Sequence, residues 1–288
     1  MVLWVILSVL SSFFDGTRLA VSKKILHGSD EYVVVTISRL FMIPFFLGWL
    51  LFVPLPQINL TFWIASAIVI VVAIVANILQ LTALKSSPIS LAAPFLTFTP
   101  IFLLLFSPFI LKENPSALGI FGVLLGVVGA YVLNISKFKE GFFEPVKAIF
   151  KEKGCWIMLI TAFLFAITST FDKVGIKNSD PIFYLIITQL ALGIFNIPIM
   201  MWKSKDYKTK VKKDWKALFF IGLLSVATLV SQFFAVKMAL VPYVMSIKRM
   251  SIIFGVLYGA FLFKEEKIKE RLIGSIIMVI SVVLISIA

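Results

Sequence analysis

KKILHGSDEYVVVTISRL, residues 23–40, returns 150 positions later as KVGIKNSDPIFYLIITQL, residues 173–190. A second match lies further along: the run from QLTALK (80–85) to LKE (111–113) corresponds to that from QFFAVK (232–237) to FKE (263–265), at an offset of 152. Self-similarity at this distance divides the chain into two halves of like construction. In a largely apolar chain it points to two homologous bundles inserted in a bilayer, an arrangement suited to alternating access.

Composition sets the solvent. Of 288 residues, 60% are hydrophobic and 14% charged, and the mean hydropathy is +1.06. That leaves too little polar surface to clothe a soluble domain of this size. A helix crosses hydrocarbon in roughly 20 apolar residues, because backbone groups in lipid are satisfied only within helices or closed barrels. The apolar runs have helix length, and no ten-residue alternation suggests a barrel. The expected fold is an all-α integral membrane protein. Ten transmembrane helices are placed at about 2–22, 32–54, 61–84, 89–111, 116–135, 155–177, 181–202, 216–237, 242–263 and 269–287. They form two five-helix repeats, residues 1–135 and 155–288. An odd number of crossings per repeat makes the second half enter the membrane upside down, an inverted repeat around a central cavity. Between them, SKFKEGFFEPVKAIFKEKG (136–154) mixes charges with Phe138, Phe142, Phe143 and Phe150. It reads as a cytoplasmic linker lying on the membrane surface.

The basic residues orient the chain. Nineteen fall in the odd-numbered connections: Lys23 and Lys24, Lys85, five from Lys137 to Lys153, seven from Lys203 to Lys216, and four from Lys264 to Arg271. The even connections hold Lys112, Lys173, Lys177 and Lys237. Cytoplasmic loops carry the excess of Lys and Arg. The odd loops are therefore expected in the cytoplasm and both termini outside. This asymmetry accounts for the net charge of +13 without a nucleic-acid partner. The seven Lys within 203–216 would also suit anionic lipid, though topology is the simpler cause. No Lys or Arg precedes Arg18, so the N-terminus lacks the basic flank of a signal peptide and reads as a retained first span.

Ten spans in two halves, each ending its fourth span in a Lys-Glu pair (Lys112-Glu113 and Lys264-Glu265), resemble the drug/metabolite transporter superfamily, specifically its EamA-type members. The resemblance covers nearly the whole chain. It implies that spans one to four and six to nine surround a central cavity, with the fifth and tenth at the periphery. It implies transport of small organic solutes, without fixing which. Its well-described ten-span members have cytoplasmic termini, whereas the charge count here argues the reverse.

The remaining four cations lie inside spans, where ionisable groups are costly and mark function. The first half places Asp15 and Arg18 on span one, Arg39 on span two, and Asn77 and Gln80 on span three. The second places Asp172 on span six, Gln189 on span seven, Gln232 on span eight, and Lys248 with Arg249 on span nine. Repeat alignment pairs Arg39 with Gln189, Gln80 with Gln232, and Leu96-Thr97 with Lys248-Arg249. Each half is expected to supply one polar layer on its own side of the midplane. Asp15 could neutralise Arg18, three residues on, or Arg39; Asp172 could snorkel to the interface. Four buried cations still exceed two buried anions. A substrate bearing a carboxylate or phosphate would supply the missing charge, and Arg suits its bidentate capture. Arg39, Asn77, Gln80, Gln189, Gln232, Lys248 and Arg249 are the expected substrate-binding residues. Asp15, Arg18, Asp172 and Pro94 are candidates for gating or coupling. Pro94 and Pro100 would bend span four, and their repeat mates Ser246 and Ile252 would not bend span nine. Gly122 and Gly126, with Gly119 and Gly129 nearby, give span five a face for close helix contact, more plausibly within the chain than between chains.

Enzymatic chemistry has no candidate site. A single Cys155 and a single His27 offer no disulfide or metal site, and no phosphate-cradling Gly-rich loop is present. The expected protein is a secondary active or exchange transporter of the plasma (inner) membrane. It would use no cofactor or metal, with the solute and the bilayer as partners, as a monomer or weak homodimer. Alternatives are a flippase or carrier for an anionic lipid-linked substrate, a general amino-acid or drug exporter, or a non-transporting scaffold.

Overall fold

The computed structural model describes residues 3–26, 28–53, 55–87, 92–132, 153–254, 258 and 268–288. His27, most of the segment 136–154 and Lys264-Glu265 lie outside the described residues. The helices are α1 (Leu3–Ile25), α2 (Glu31–Leu50), α3 (Leu60–Ser86), a 3-10 turn (Ala93–Thr97), α4 (Phe98–Ile110), α5 (Ala117–Val132), α6 (Lys153–Lys177), α7 (Pro181–Lys203), α8 (Tyr207–Met238), α9 (Val241–Lys248) and α10 (Ile268–Ser286). No strand occurs among the described residues. Six helices, α1, α2, α3, α6, α7 and α8, are long and apolar enough to cross a membrane; Phe95–Ile110, Ala117–Gly129 and Ile276–Ser286 are shorter apolar stretches.

The repeated Ser-Asp of the opening motif starts a helix in each half. The first turn of a helix leaves N–H groups without intrahelical partners, and an Asp before it can accept from them. Asp30 Oδ1 accepts from Val33 N–H at 2.9 Å, opening α2. Its repeat equivalent Asp180 accepts from Ile182 and Phe183 N–H at 2.8 and 3.3 Å, opening α7. Some boundaries depart from the hydropathy reading. Helix α8 begins at Tyr207, well before the apolar run at 216, because YKTKVKKDWK has no Gly or Pro and its Lys residues favour helix.

The ninth span is broken. Helix α9 stops at Lys248, Arg249 and Met250 form a turn, and helix resumes over 251–254. N–H groups here reach three residues back: Arg249 to Ser246 O at 3.1 Å, Met250 to Ile247 O at 2.9 Å, and Ile252 to Arg249 O at 3.1 Å. This is 3-10 bonding. Its repeat counterpart is the 3-10 turn Ala93–Thr97. The irregularity therefore occurs in both halves, although only the first has a proline within the 3-10 stretch. Pro94 stands in the first turn of that 3-10 segment, where an N–H is dispensable. It begins the 3-10 element, while Pro100 stands in the first turn of α4.

Packing couples the halves. Helix α1 lies on α8 and α3 on α6; α2 contacts α7 and α8; α4 contacts α6 and α9; α5 pairs with α10. Odd-numbered connections meet at one end. There Lys23 Nζ donates to Leu84 O and Ser87 O, Ser29 Oγ to Asp214 at 2.6 Å, Lys210 pairs with Asp30 at 3.0 Å and Lys85 with Glu31 at 2.9 Å. Even-numbered connections meet at the other. Asn59 bonds Asn178 at 2.8 Å, and Glu113 pairs with Lys173 at 2.8 Å. Lys173 is thus no solvated loop cation. It is 6% exposed and also donates to Ala239 O at 2.5 Å, while Glu113 accepts from Val241 N–H at 3.0 Å. Three of the α5 glycines are filled by α10 of the same chain, while Gly119 faces Tyr243 of α9. A Cβ at Gly122, Gly126 or Gly129 would meet Ile285, Ser281 or Met278 within 2.8 Å, and Ser281 Oγ donates to Gly122 O at 2.8 Å.

Candidate functional site

Side chains from α1, α2, α3, α6, α7, α8 and the α9 break enclose a cavity of about 150 Å³. Asp15, Arg18, Arg39, Asn77, Gln80, Asp172, Gln189, Gln232, Lys248 and Arg249 all line it; the Pro94 side chain lies outside the described ones. The lining follows the internal repeat. Arg18 and Thr168, Ser22 and Asp172, Arg39 and Gln189, Ala73 and Ser225, Asn77 and Leu229, and Gln80 and Gln232 are equivalent positions, and every one faces the same space. Span four is the exception. No described side chain of span four is among the lining residues, whereas its repeat partner contributes Met245, Lys248 and Arg249. Among the described residues the cavity is therefore walled asymmetrically.

Residues of both expected polar layers line this one cavity. Gly16 explains how: a Cβ there would lie 2.6 Å from Ser251 O and 2.8 Å from Phe254 Cβ. Only a residue without a side chain lets the backbone after α9 come this close to α1. That approach makes Lys248 and Arg249 electrostatic neighbours of Asp15. Asp15, 3% exposed, is bound locally by Arg18: Nη2 donates to Oδ1 at 2.7 Å and Nε at 3.1 Å. Arg39 is not its partner; it lies beside Arg18 with Nη1 buried and without a hydrogen bond. Lys248 Nζ donates to Gln232 Oε1. Arg249 is 6% exposed and its Nε is unpartnered. Asn77 Nδ2 donates to Ala73 O of its own helix at 2.5 Å, leaving its amide oxygen for other contacts.

On the α6–α7 wall the unpartnered atoms are acceptors. Asp172 Oδ1 and Gln189 Oε1 are buried with no hydrogen bond. Tyr184 and Lys248 act on Asp172 electrostatically, yet the Tyr184 hydroxyl forms no hydrogen bond of normal geometry. Asp172 lines the interior, so it does not snorkel. Hydroxyls complete the lining: Ser22, Ser38, Thr168, Ser169, Ser225 and Thr228. Sequence reading passed over them because single Ser and Thr residues are common in apolar helices. Their signal was spacing. Ser22 follows Arg18 by one turn, and Thr168 and Thr228 precede Asp172 and Gln232 by one turn.

A helical bundle of membrane-crossing length built around a charged cavity defines a multi-pass membrane protein that handles something inside itself. The chain belongs to the EamA-like transporter family, whose pattern matches it twice, over residues 2–135 and 152–287. It is therefore a membrane transporter of small solutes. One solved structure, described as "Crystal structure of protein", superposes with a TM-score of 0.72 at 14% identity, covering 99% of this chain and 96% of that one. At that identity the likeness establishes the fold. No curated protein matches the sequence significantly.

Proposed function

We propose that the protein is a ten-span, inverted-repeat secondary transporter moving a small solute that carries a carboxylate or phosphate, by alternating access across the plasma (inner) membrane. The observation that carries this reading is the cavity charge. Among the described lining residues, Arg18, Arg39, Lys248 and Arg249 face only Asp15 and Asp172, and two of the guanidinium groups have buried nitrogens without partners. Buried charge without a counter-ion is costly, and an anionic solute supplies one. The repeat reading, with halves 1–135 and 155–288, is supported by packing that the offsets exchange: α1 on α8 becomes α6 on α3. The clustering of odd and of even connections at opposite ends supports five crossings per half. The basic excess of the odd connections favours placing them in the cytoplasm with both termini outside. With no ATP-binding motif in the sequence, transport is driven by exchange or by a gradient.

The cavity volume favours a small solute. About 150 Å³ is the size of an engineered cavity that holds one benzene molecule. A lipid-linked substrate would need a far larger space or a lateral opening, so the flippase reading is the weaker one. A thermal-shift series on the purified protein with carboxylates, phosphates, amines and sugars tests the proposal. Stabilisation by carboxylates or phosphates is expected; stabilisation by amines alone would overturn it. Uptake of the stabilising anion into protein-loaded liposomes, absent from empty ones, then separates a transporter from a scaffold.

A further inference from the structure

Helix α8 is longer than a membrane requires. Its 32 residues reach about 48 Å at about 1.5 Å per residue, against a hydrocarbon core of about 30 Å. The surplus is the N-terminal stretch YKTKVKKDWK (207–216), ahead of the apolar run. Its inward stripe is fully used. Tyr207 and Val211 pack on the core beside Leu218 and Ile221, Lys210 pairs with Asp30 at 3.0 Å, and Asp214 accepts from Ser29 Oγ at 2.6 Å. The extension is thereby held against the α1–α2 connection.

The outward stripe has no such partners. Lys208, Lys212 and Lys216 follow one another at single-turn spacing, all exposed, with Trp215 and Phe219 on the same side of the helix. Trp215 is 49% exposed, and Lys216 Nζ lies 5.8 Å from its ring centroid. On the adjoining end of α7, Lys203 Nζ stands 4.1 Å from the ring centroid of Trp202, itself 75% exposed. None of these lysines has an acidic partner among the described residues. Charge gives way to indole and then to Phe along one face, the order in which headgroup, interface and acyl chain succeed one another in a leaflet.

Two observations separate this face from a simple orientation signal. Of the nineteen basic residues in the odd connections, the twelve outside 203–216 already outnumber the four of the even ones, so topology is set without it. The repeat supplies the second. Residues 55–64, the equivalent stretch at the even end, keep the tryptophan as Trp63, 52% exposed, but contain no Lys; Pro56, Leu60 and Ile64 stand where Lys208, Lys212 and Lys216 do. A tryptophan anchor is common to both ends, and the lysine row is an addition to one.

We propose that the α7–α8 ridge is a binding surface for acidic phospholipid headgroups of the leaflet at the odd end, with Lys203, Lys208, Lys212 and Lys216 holding the phosphates above Trp202 and Trp215. This surface is separate from the cavity, and its occupant is independent of the solute. Each lysine near an anionic surface favours binding by about fivefold.

The full-length protein in mixed micelles of phosphatidylglycerol and phosphatidylcholine tests it, with retained lipids counted by native mass spectrometry. The wild type is expected to retain phosphatidylglycerol at least about tenfold above its share. K208Q/K212Q/K216Q should lose most of that enrichment, whereas K112Q/K177Q/K237Q, which removes the same charge from exposed sites at the even end, should keep it. Should the first triple not fold, Lys212→Glu takes its place and should lower the enrichment at least about fivefold. No enrichment in the wild type overturns the site, as do two triples of equal effect. Displacement of the retained lipid by soluble polyglutamate at equal charge would assign the ridge to an acidic protein and overturn the lipid.

Discussion

Arg249 and Arg39 each hold a buried guanidinium nitrogen with no partner, which sets function against stability at single positions. Replacing either by Gln removes a desolvated cation that the empty protein does not need. The Tm of the unliganded variants is expected to rise, while affinity for a carboxylate probe falls about tenfold or more; a fall in both would place these arginines in structural roles. Asp30 answers a different test, lying at an end of the bundle outside the spans. Partial burial pushes its carboxyl up, but hydrogen bonds from Ser204, Val33 N–H and Lys210, with the Lys210 charge, outweigh that and hold it below the usual range. Its folded pKa is thus depressed, so its contribution is complete above the unfolded value of about 3.9 and is lost as pH falls through the folded one. Wild-type Tm should drop as pH falls below about 4, and Asp30→Asn should flatten part of that drop, with a cap loss of up to about 1 kcal/mol at neutral pH. At this scale the charged site residues were legible because an ionisable group in an apolar run stands out. Which of them pair was not, since Asp15 had two cations within plausible reach and only geometry selects Arg18.

Elements explain how those residues converge. The α9 break presents Lys248 and Arg249 on successive 3-10-like turns, and Gly16 allows that break to lie against α1. Gly16→Ala inserts a methyl where Ser251 O and Phe254 Cβ already stand. It should weaken carboxylate binding even though every charge is retained, a separation of position from charge that titration calorimetry can read. The α5–α10 pair tests packing alone: Gly126→Leu would overfill its contact with Ser281 and should cost about 1–3 kcal/mol, seen as a lower Tm with probe affinity unchanged. The helices themselves were readable from hydropathy, and the repeated Ser-Asp proves to be a repeated cap. The α9 break was not readable. Its counterpart carries Pro94, whereas no proline marks Arg249-Met250, and the run 242–263 looks continuous in composition.

Across the whole molecule, the two ends of the bundle are tied by different bonds. At the even end Glu113 and Lys173, both 6% exposed, join the α4–α5 connection to α6 and to the start of α9. Lys173→Met leaves the buried Glu113 charge without its counter-ion and should cost about 3–5 kcal/mol. Adding Glu113→Gln should recover most of that loss, since it removes the stranded charge; no recovery in the double variant's Tm would mean the pair is not the source. The duplicated halves were visible in the first motif, because positions that face one another across an interior are drawn from equivalent sites in each copy. The lopsided cavity was not visible, because span four carries Leu96-Thr97 where span nine carries Lys248-Arg249, and sequence does not say that only the latter faces inward.

That surplus of positive charge has a kinetic corollary. An unoccupied carrier must swing its bare cations through a low-dielectric passage, while an occupied one travels neutralised. The return stroke without cargo should therefore be the slow one, and liposomes preloaded with solute should take up label by counterflow at least about tenfold faster than unloaded ones. If counterflow shows that ratio, the protein is a swap shop, trading one molecule for another far more readily than it gives one away.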